Sequence, residues 1–191
     1  MTRAARVQPN PPEATATQKS GWSCPDRADL PVPGPEQLPL PTLENDNPFA
    51  VPARLDDTLT QVLAYWNGLK RGNAEMPFAD DVKLGDIWKL SNSIVLVHVL
   101  PMPHRFRLEI AGRQLIRMYG EDVAGRFADE IAVRPPLDFF LSQCSAATDA
   151  RAPTFYRHPA TADGHGAYAR ILLPLWGDGR IVALLGAVSN A

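Results

Sequence analysis

Two apolar runs near the C-terminus, joined by a very short polar turn, constrain the fold of this chain more than any other feature. The runs are GAYARILLPLW, from Gly166, and RIVALLGAV, from Arg180, and only Gly177–Gly179 (GDG) lies between them. Glycine and aspartate tolerate the left-handed backbone conformations that a tight hairpin turn requires. The pattern therefore predicts two antiparallel strands that close the chain.

Three further segments have the residue pattern of strands. Ser93–Leu100 (SIVLVHVL) is apolar and β-branched, which is typical of a strand buried on both faces. His104–Ile110 (HRFRLEI) alternates between apolar and charged residues, as expected for an antiparallel neighbour. Pro153–Ala160 (PTFYRHPA) is the third segment. We therefore expect five antiparallel strands.

The clearest helical pattern precedes the first strand. The segment LDDTLTQVLAYWNGLKRG begins with two aspartates and ends with basic residues and glycine, which suits the two ends of a helix. Its apolar residues recur at helical spacing: Leu59, Val62, Leu63 and Trp66. The pattern predicts an amphipathic N-terminal helix over about residues 56–71. Its apolar stripe must be buried either on its own domain or on a twin helix of a second subunit.

Other helical segments complete the fold class. A short helix is expected from Leu84, a helix from Gly112 to Gly120, and a second amphipathic helix from Pro135. Helices inserted between the second and third strands indicate an α+β domain over residues 53–191. The helices should cover one face of the sheet, and a cavity between the two layers is a natural place for a small ligand.

The residues before this domain have a different composition. Eleven of the nineteen prolines fall within residues 1–52, where neither helical nor strand periodicity is present. Proline removes backbone donors, and the segment lacks the apolar area needed to offset chain entropy. We interpret residues 1–52 as a proline-rich disordered tail, which is either a solvated leader or a docking segment for a partner.

Composition and charge narrow the function classes. The formal net charge of the 191 residues is −2, which gives no reason to expect nucleic-acid binding. No apolar run approaches the roughly 20 residues of a membrane helix, and the N-terminus lacks the apolar region of a secretory signal. Cys24 and Cys144 are interpreted as free thiols. A cytoplasmic protein is therefore expected.

Four motifs, in this order, resemble those of the bacterial PAS_5 family of PAS domains. They are YWNGLKRGNAEMPFADDVKL, FRLEIAG, YGEDVAGR and ILLPLWGDGRIVALLGA. The resemblance covers about residues 55–190. It implies a PAS-like fold, a cytoplasmic sensory or interaction module in signal transduction, and a homodimer formed through the N-terminal helix. It supplies no ligand or cofactor, and it implies that a separate output protein reports the signal.

The turn RMYGEDVAGR, from Arg117, holds two adjacent carboxylates between two glycines. Glycine here ends a helix, so the helix dipole is reversed from that of a phosphate site. We expect Gly120 to be a left-handed C-cap and Asp122 to bind local backbone. Arg126 is kept as a candidate for holding an anionic ligand at the mouth of the cavity.

Two sets of candidate site residues follow. The ligand-cavity candidates are Trp88, His98, Phe106, Met118, Tyr119, Arg126, Phe139, Phe140 and Tyr168. The candidates for a dimer or partner face are Leu59, Val62, Leu63, Trp66, Arg107 and Arg170. His98 shares a strand face with apolar residues, which is typical of a core histidine, while a ligand-binding or pH-sensing role is the alternative.

No cofactor signature accompanies these residues. No predicted helix offers an axial histidine for haem, Cys144 lacks the sequence setting of a flavin-reactive cysteine, and the histidines lack metal-ligand spacing. Three function hypotheses stay open. The first is a non-catalytic PAS-like sensor of a small ligand or protein partner. The second is a ligand-free dimerisation adaptor whose proline-rich tail docks partners, and the third is a small hydrolase that uses His98.

Overall fold

A computed structural model of the chain describes residues 47–102, 104–160 and 166–190. These residues belong to the second of the two units into which the chain divides, Leu43–Ala191. The helices are α1 (Asp57–Gly68), α2 (Arg113–Tyr119) and α3 (Phe140–Ala150), with 3₁₀ helices at Ala79–Asp81 and Leu84–Leu90. The strands are β1 (Ile94–Pro101), β2 (His104–Ala111), β3 (Thr154–His158), β4 (Tyr168–Gly177) and β5 (Arg180–Asn190).

The five strands form one antiparallel sheet in the order β2-β1-β5-β4-β3. The predicted hairpin joins β4 to β5 through Asp178 and Gly179, whose φ angles of 49° and 75° are both left-handed. Two left-handed residues give a turn whose twist matches that of the strands. With α2 and α3 inserted between β2 and β3, this arrangement confirms the predicted PAS-like α+β fold.

Helices cover the sheet on both faces. Arg170 on β4 donates a hydrogen bond to Gln143 on α3, and its register partner on β5 is Val188. The next residue of β5, Ser189, donates instead to Asp56 at the start of α1. Successive residues of a strand point to opposite faces, so α1 and α3 lie on opposite sides of the sheet. Every residue of β4 from 168 to 175 is accordingly buried.

The apolar stripe of α1 is buried on its own domain. Asp56 caps the helix by accepting a hydrogen bond from the backbone N–H of Leu59 at 3.0 Å. Leu59, Val62 and Trp66 are buried, and the Trp66 indole N–H donates to the Pro174 carbonyl at 2.8 Å. Of the two places expected for the stripe, the structure therefore has the first. The prediction that these residues and half-buried Leu63 form a dimer or partner face is wrong, because the sheet already occupies the stripe.

Two predicted boundaries differ from the structure. The helix expected from Pro135 begins only at Phe140, because a proline disfavours helical backbone in the preceding residue and Phe139 is left-handed, with φ of 52°. Phe49 falls within the predicted tail but packs on the domain, and its carbonyl accepts a hydrogen bond from Phe155 on β3 at 2.9 Å. Residues 1–46 of the predicted tail lie outside the described residues.

The segment after α2 closes the β2 edge of the sheet. The Gly125 N–H donates to the Leu108 carbonyl at 2.6 Å, and the Leu108 N–H donates to the Arg126 carbonyl at 3.0 Å. The Ala128 N–H donates to the Phe106 carbonyl at 2.8 Å. These bonds satisfy edge groups that would otherwise invite pairing with another chain.

Gly112, which joins β2 to α2, is expected to be intolerant of any side chain. A Cβ atom there would lie 2.8 Å from the carbonyl oxygen of Ile94 and closer still to that of Asn92. Both obstacles are backbone, so Gly112→Ala should lower the free energy of unfolding by about 1–3 kcal/mol. Gly85→Ala is the matched control, because nothing lies within 4 Å of a Cβ atom there. Urea unfolding of both variants measures the difference, and equal stabilities would contradict the expectation.

Candidate functional site

Arg170 is a fully buried arginine between the sheet and α3. It was predicted, like Arg107, to belong to a dimer or partner face, and for Arg170 that prediction is wrong. Its register partners, Tyr156 on β3 and Val188 on β5, share the face that α3 covers. Because β4 is buried on both faces, the charge could not reach solvent on either side.

The Arg170 guanidinium is held by three acceptors. Its Nε donates to the Gln143 side-chain oxygen at 2.7 Å, its Nη1 to the Pro136 carbonyl at 2.5 Å, and its Nη2 to the Asp138 carbonyl at 3.1 Å. The rings of Phe140 and Tyr156 lie 5.0 and 5.4 Å from its Cζ. Burial lowers the pKa of Arg170 to about 10, so the side chain stays charged at neutral pH.

Asp138 ties the same segment to β3. Its Oδ2 accepts hydrogen bonds from the Tyr156 hydroxyl at 2.7 Å and from Nδ1 of His158 at 3.0 Å. Burial, and then the bond to Asp138, raise the pKa of Tyr156. The Tyr168 ring stacks on the His158 ring with centroids 5.1 Å apart. Residues 136–138 are therefore fastened to the sheet through both backbone and side chain.

The cluster around Arg170 also contains unsatisfied polar atoms. Four buried atoms of this cluster have no hydrogen-bond partner among the described residues: Asp138 Oδ1, Thr154 Oγ1, His158 Nε2 and Tyr168 Oη. An unpaired buried polar atom costs about 1–3 kcal/mol. The polar cluster is thus a costly way to hold this part of the fold, and a purely apolar core would avoid that cost.

A groove lies beside this anchored segment. Its volume is about 310 Å³, and its lining includes Ala128, Ile131, Val133, Leu137, Phe139 and Leu141. Val133, Phe139 and Leu141 are large apolar side chains that are 82%, 59% and 44% exposed. We call this feature the apolar groove. Clustered exposed apolar residues of this kind mark binding surfaces more often than single ones do.

The anchored segment forms one wall of the apolar groove. Leu137 lies between the two residues whose carbonyls bind Arg170, and Phe139 and Phe140 follow directly. Phe139 has a left-handed φ of 52°, which is costly for a bulky residue. The Arg170 cluster therefore fixes the position of this wall, including a strained and exposed phenylalanine.

The predicted cavity residues do not surround one cavity. Phe139 and Phe140 both line the apolar groove. Phe106, Tyr119 and Tyr168 are packed in the core, and Met118 is half-buried. Trp88 is 66% exposed, because the 3₁₀ helix at 84–90 turns only Ile87 fully inward.

The predicted local structure of the RMYGEDVAGR turn is present. Gly120 is left-handed, with φ of 91°, and Asp122 Oδ1 accepts a hydrogen bond from the Ala124 N–H at 2.9 Å. Arg126 is exposed, and its Nη2 lies 3.3 Å from a Glu121 carboxylate oxygen. It does not line the apolar groove, because the turn pairs with the outer edge of β2. Its prediction as a cavity-mouth residue is wrong.

His98 lies on the outer face of β1 and not in the core. Val95, Val97 and Val99 are the residues of β1 that face inward, which leaves His98 on the opposite side. Its side chain is 45% exposed, and Nδ1 lies 3.5 Å from a carboxylate oxygen of Glu109, which also binds Arg107. The core-histidine and cavity predictions for His98 are therefore wrong. The hydrolase hypothesis also loses its histidine–acid pair within a cleft.

Sequence reasoning missed Asp138, Gln143, Tyr156 and His158. The one usable signal was the strand period, since Tyr156 and His158 are two residues apart and lie on one face of β3.

Cys144, which was expected to be a free thiol, is buried beside this cluster, and burial raises its pKa to about 12. Within the described ranges, no group of histidine, cysteine and acidic side chains could hold a metal ion, and no helix is long and apolar enough to span a membrane.

Comparisons with known proteins gave structural similarities only. No family model matches the chain, and no curated protein matches it. A fungal LOV-domain photoreceptor is 16% identical with a TM-score of 0.40, over 71% of this chain and 92% of the other. An RNA-binding light-oxygen-voltage receptor is 20% identical with a TM-score of 0.37, over 64% of this chain and 36% of the other.

Replacement of Arg170 tests the anchoring role of the cluster. Lysine keeps the charge but cannot present a planar fork to three acceptors. Arg170→Lys should therefore lower the free energy of unfolding by at least about 2 kcal/mol. Arg157→Lys, at an exposed position on neighbouring β3, should change it by less than about 0.5 kcal/mol. Guanidinium unfolding provides the comparison, and similar values for the two variants would refute the anchoring role.

Proposed function

We propose that this chain is a non-catalytic, PAS-like sensory module that binds a small ligand in the apolar groove. The observation that carries this proposal is the combination of the groove with its anchored wall. Val133, Phe139 and Leu141 of the lining are exposed, while the segment behind them is fastened to β3 and β4 through Asp138 and Arg170. A fixed wall lowers the entropy cost of binding, because less of the site has to become ordered.

A binding role fits the groove better than a catalytic one. Asp129 and Ser142 are the polar members of its lining, and Asp129 is already bound by Arg105 through hydrogen bonds of 2.9–3.2 Å. Acid–base catalysis needs a titrating group within reach of the reacting atom. His158 and Asp138 bind each other beneath the segment and are absent from the lining.

Signal output is the second part of the proposal. We propose that the domain acts as a homodimer and passes its signal to a separate output protein, as the PAS resemblance implies. The apolar stripe of α1 is already buried on the outer face of β4 and β5. We therefore propose the outer face of β1 and β2 as the partner face. Leu96, His98, Leu100 and Arg107 are half-buried there.

A ligand-free adaptor is the alternative function. The exposed side chains of Val133, Phe139 and Leu141 are the observation that favours it. In that case the apolar groove binds a side chain of a protein partner, and no small molecule co-purifies with the chain.

Native mass spectrometry of the freshly purified full chain, beside a denatured control, distinguishes these functions. The sensor predicts extra non-covalent mass in the native spectrum. Ser142→Trp should remove that mass by filling the apolar groove, whereas Gln61→Trp, on the exposed face of α1, should leave it unchanged. Protein without added mass would contradict the sensor and favour the adaptor. Added mass that survives Ser142→Trp would place the ligand elsewhere.

A further inference from the structure

We propose that the apolar groove selects an uncharged or cationic ligand with an apolar ring, and excludes carboxylates and other anions. This inference rests on the proposed function and names the ligand class for the same site. It follows from the chemistry of the lining, the charges at its rim and the size of the space.

The lining favours a ring. Phe139 and Phe140 both contribute aromatic groups to the groove, and the remaining apolar lining is aliphatic. Aromatic side chains bind other rings by offset or edge-on contacts that add to simple burial. The volume of about 310 Å³ lies at the lower end of the roughly 300–1,000 Å³ found for ligand pockets. A single or fused ring fits such a space better than an extended nucleotide does.

The charges at the rim disfavour anions. Asp129 lines the groove, and Arg105 binds both Asp129 and Glu130, at 2.9 and 2.6 Å. One positive and two negative groups give this cluster a net charge of −1. The hydrogen bond from Arg105 lowers the pKa of Asp129, so its carboxylate stays ionised at neutral pH.

Two further arginines beside the lining residues are already engaged. Among the described residues of its lining, none is lysine or arginine. Arg134 stacks on the Tyr119 ring at 4.1 Å and lies 3.5 Å from Glu121. Arg170 lies against Phe140 and donates to three acceptors of its own. A carboxylate entering the groove would lose its hydration without gaining a cationic partner, which is strongly unfavourable.

Three matched probes test the inference on the full chain: 2-naphthalenemethanol, 2-naphthylmethylamine and 2-naphthoate. They share a naphthalene ring system and differ mainly in charge. We expect the alcohol and the amine to bind, and the carboxylate to bind at least about tenfold more weakly. Equilibrium dialysis at pH 7 and 0.15 M salt measures all three. Equal or tighter binding of 2-naphthoate would overturn the proposed selectivity.

A gain-of-function variant separates selectivity from loss of folding. Ser142→Arg adds a guanidinium to the lining and should increase the affinity for 2-naphthoate at least about fivefold. Gln61→Arg adds the same charge on the exposed face of α1 and should leave the affinity unchanged. An equal effect of both variants would contradict the assignment of the groove as the selective site.

The outcomes distinguish this inference from the proposed function. If native protein carries a ligand mass that Ser142→Trp removes, but the three probes bind alike, the ligand class is wrong and the sensor stands. If the native protein carries no such mass and no probe binds, both fail. Added native mass that Ser142→Trp removes, together with binding of the alcohol and amine but not of the carboxylate, supports both.

Discussion

Burial of the Arg170 guanidinium is the constraint on which this part of the structure depends. A charged group without access to water must be surrounded by acceptors. Here the acceptors are the Gln143 side chain and the carbonyls of Pro136 and Asp138. Meeting that requirement fixes the segment before α3 against β4. It also sets where α3 begins, because Phe139 and Phe140 directly follow Asp138 in the chain. The apolar groove is the outer surface of this arrangement.

The arrangement has a cost in stability that a simpler core would avoid. Buried polar atoms of Asp138, Thr154 and Tyr168 have no partner among the described residues, and Phe139 holds a left-handed backbone. Strain of this kind persists only where the surrounding structure enforces it, and it tends to occur at functional sites. Here the strain and the unpaired polar atoms lie directly behind the exposed apolar groove. We therefore relate their cost in stability to a binding role for the groove.

Local patterns in the sequence were sufficient for most of the fold. The α1 stripe, the alternation of β2 and the short turn at Asp178 each reflect a period or a backbone preference within one element. Arg170 was wrongly predicted to belong to a dimer or partner face. The strand period alone could not correct this, since α1 and α3 cover both faces of β4. Its acceptors lie far from it in sequence, at residues 136–143, so only the tertiary structure brings them together.

Of the predicted cavity residues, Phe139 and Phe140 line the same groove. Trp88 and Arg126 lie on segments in which other residues point inward.

Methyl NMR spectroscopy of the full chain during titration with 2-naphthalenemethanol tests most directly whether the anchored segment forms a ligand site. Our account predicts saturable shifts of the Ile131, Val133, Leu137 and Leu141 methyl groups, which line the groove. Leu59 and Val62 lie on the buried side of α1, on the opposite face of the sheet, and their methyl resonances should not shift. Unchanged groove resonances, or saturable shifts confined to the α1 side, would contradict the account.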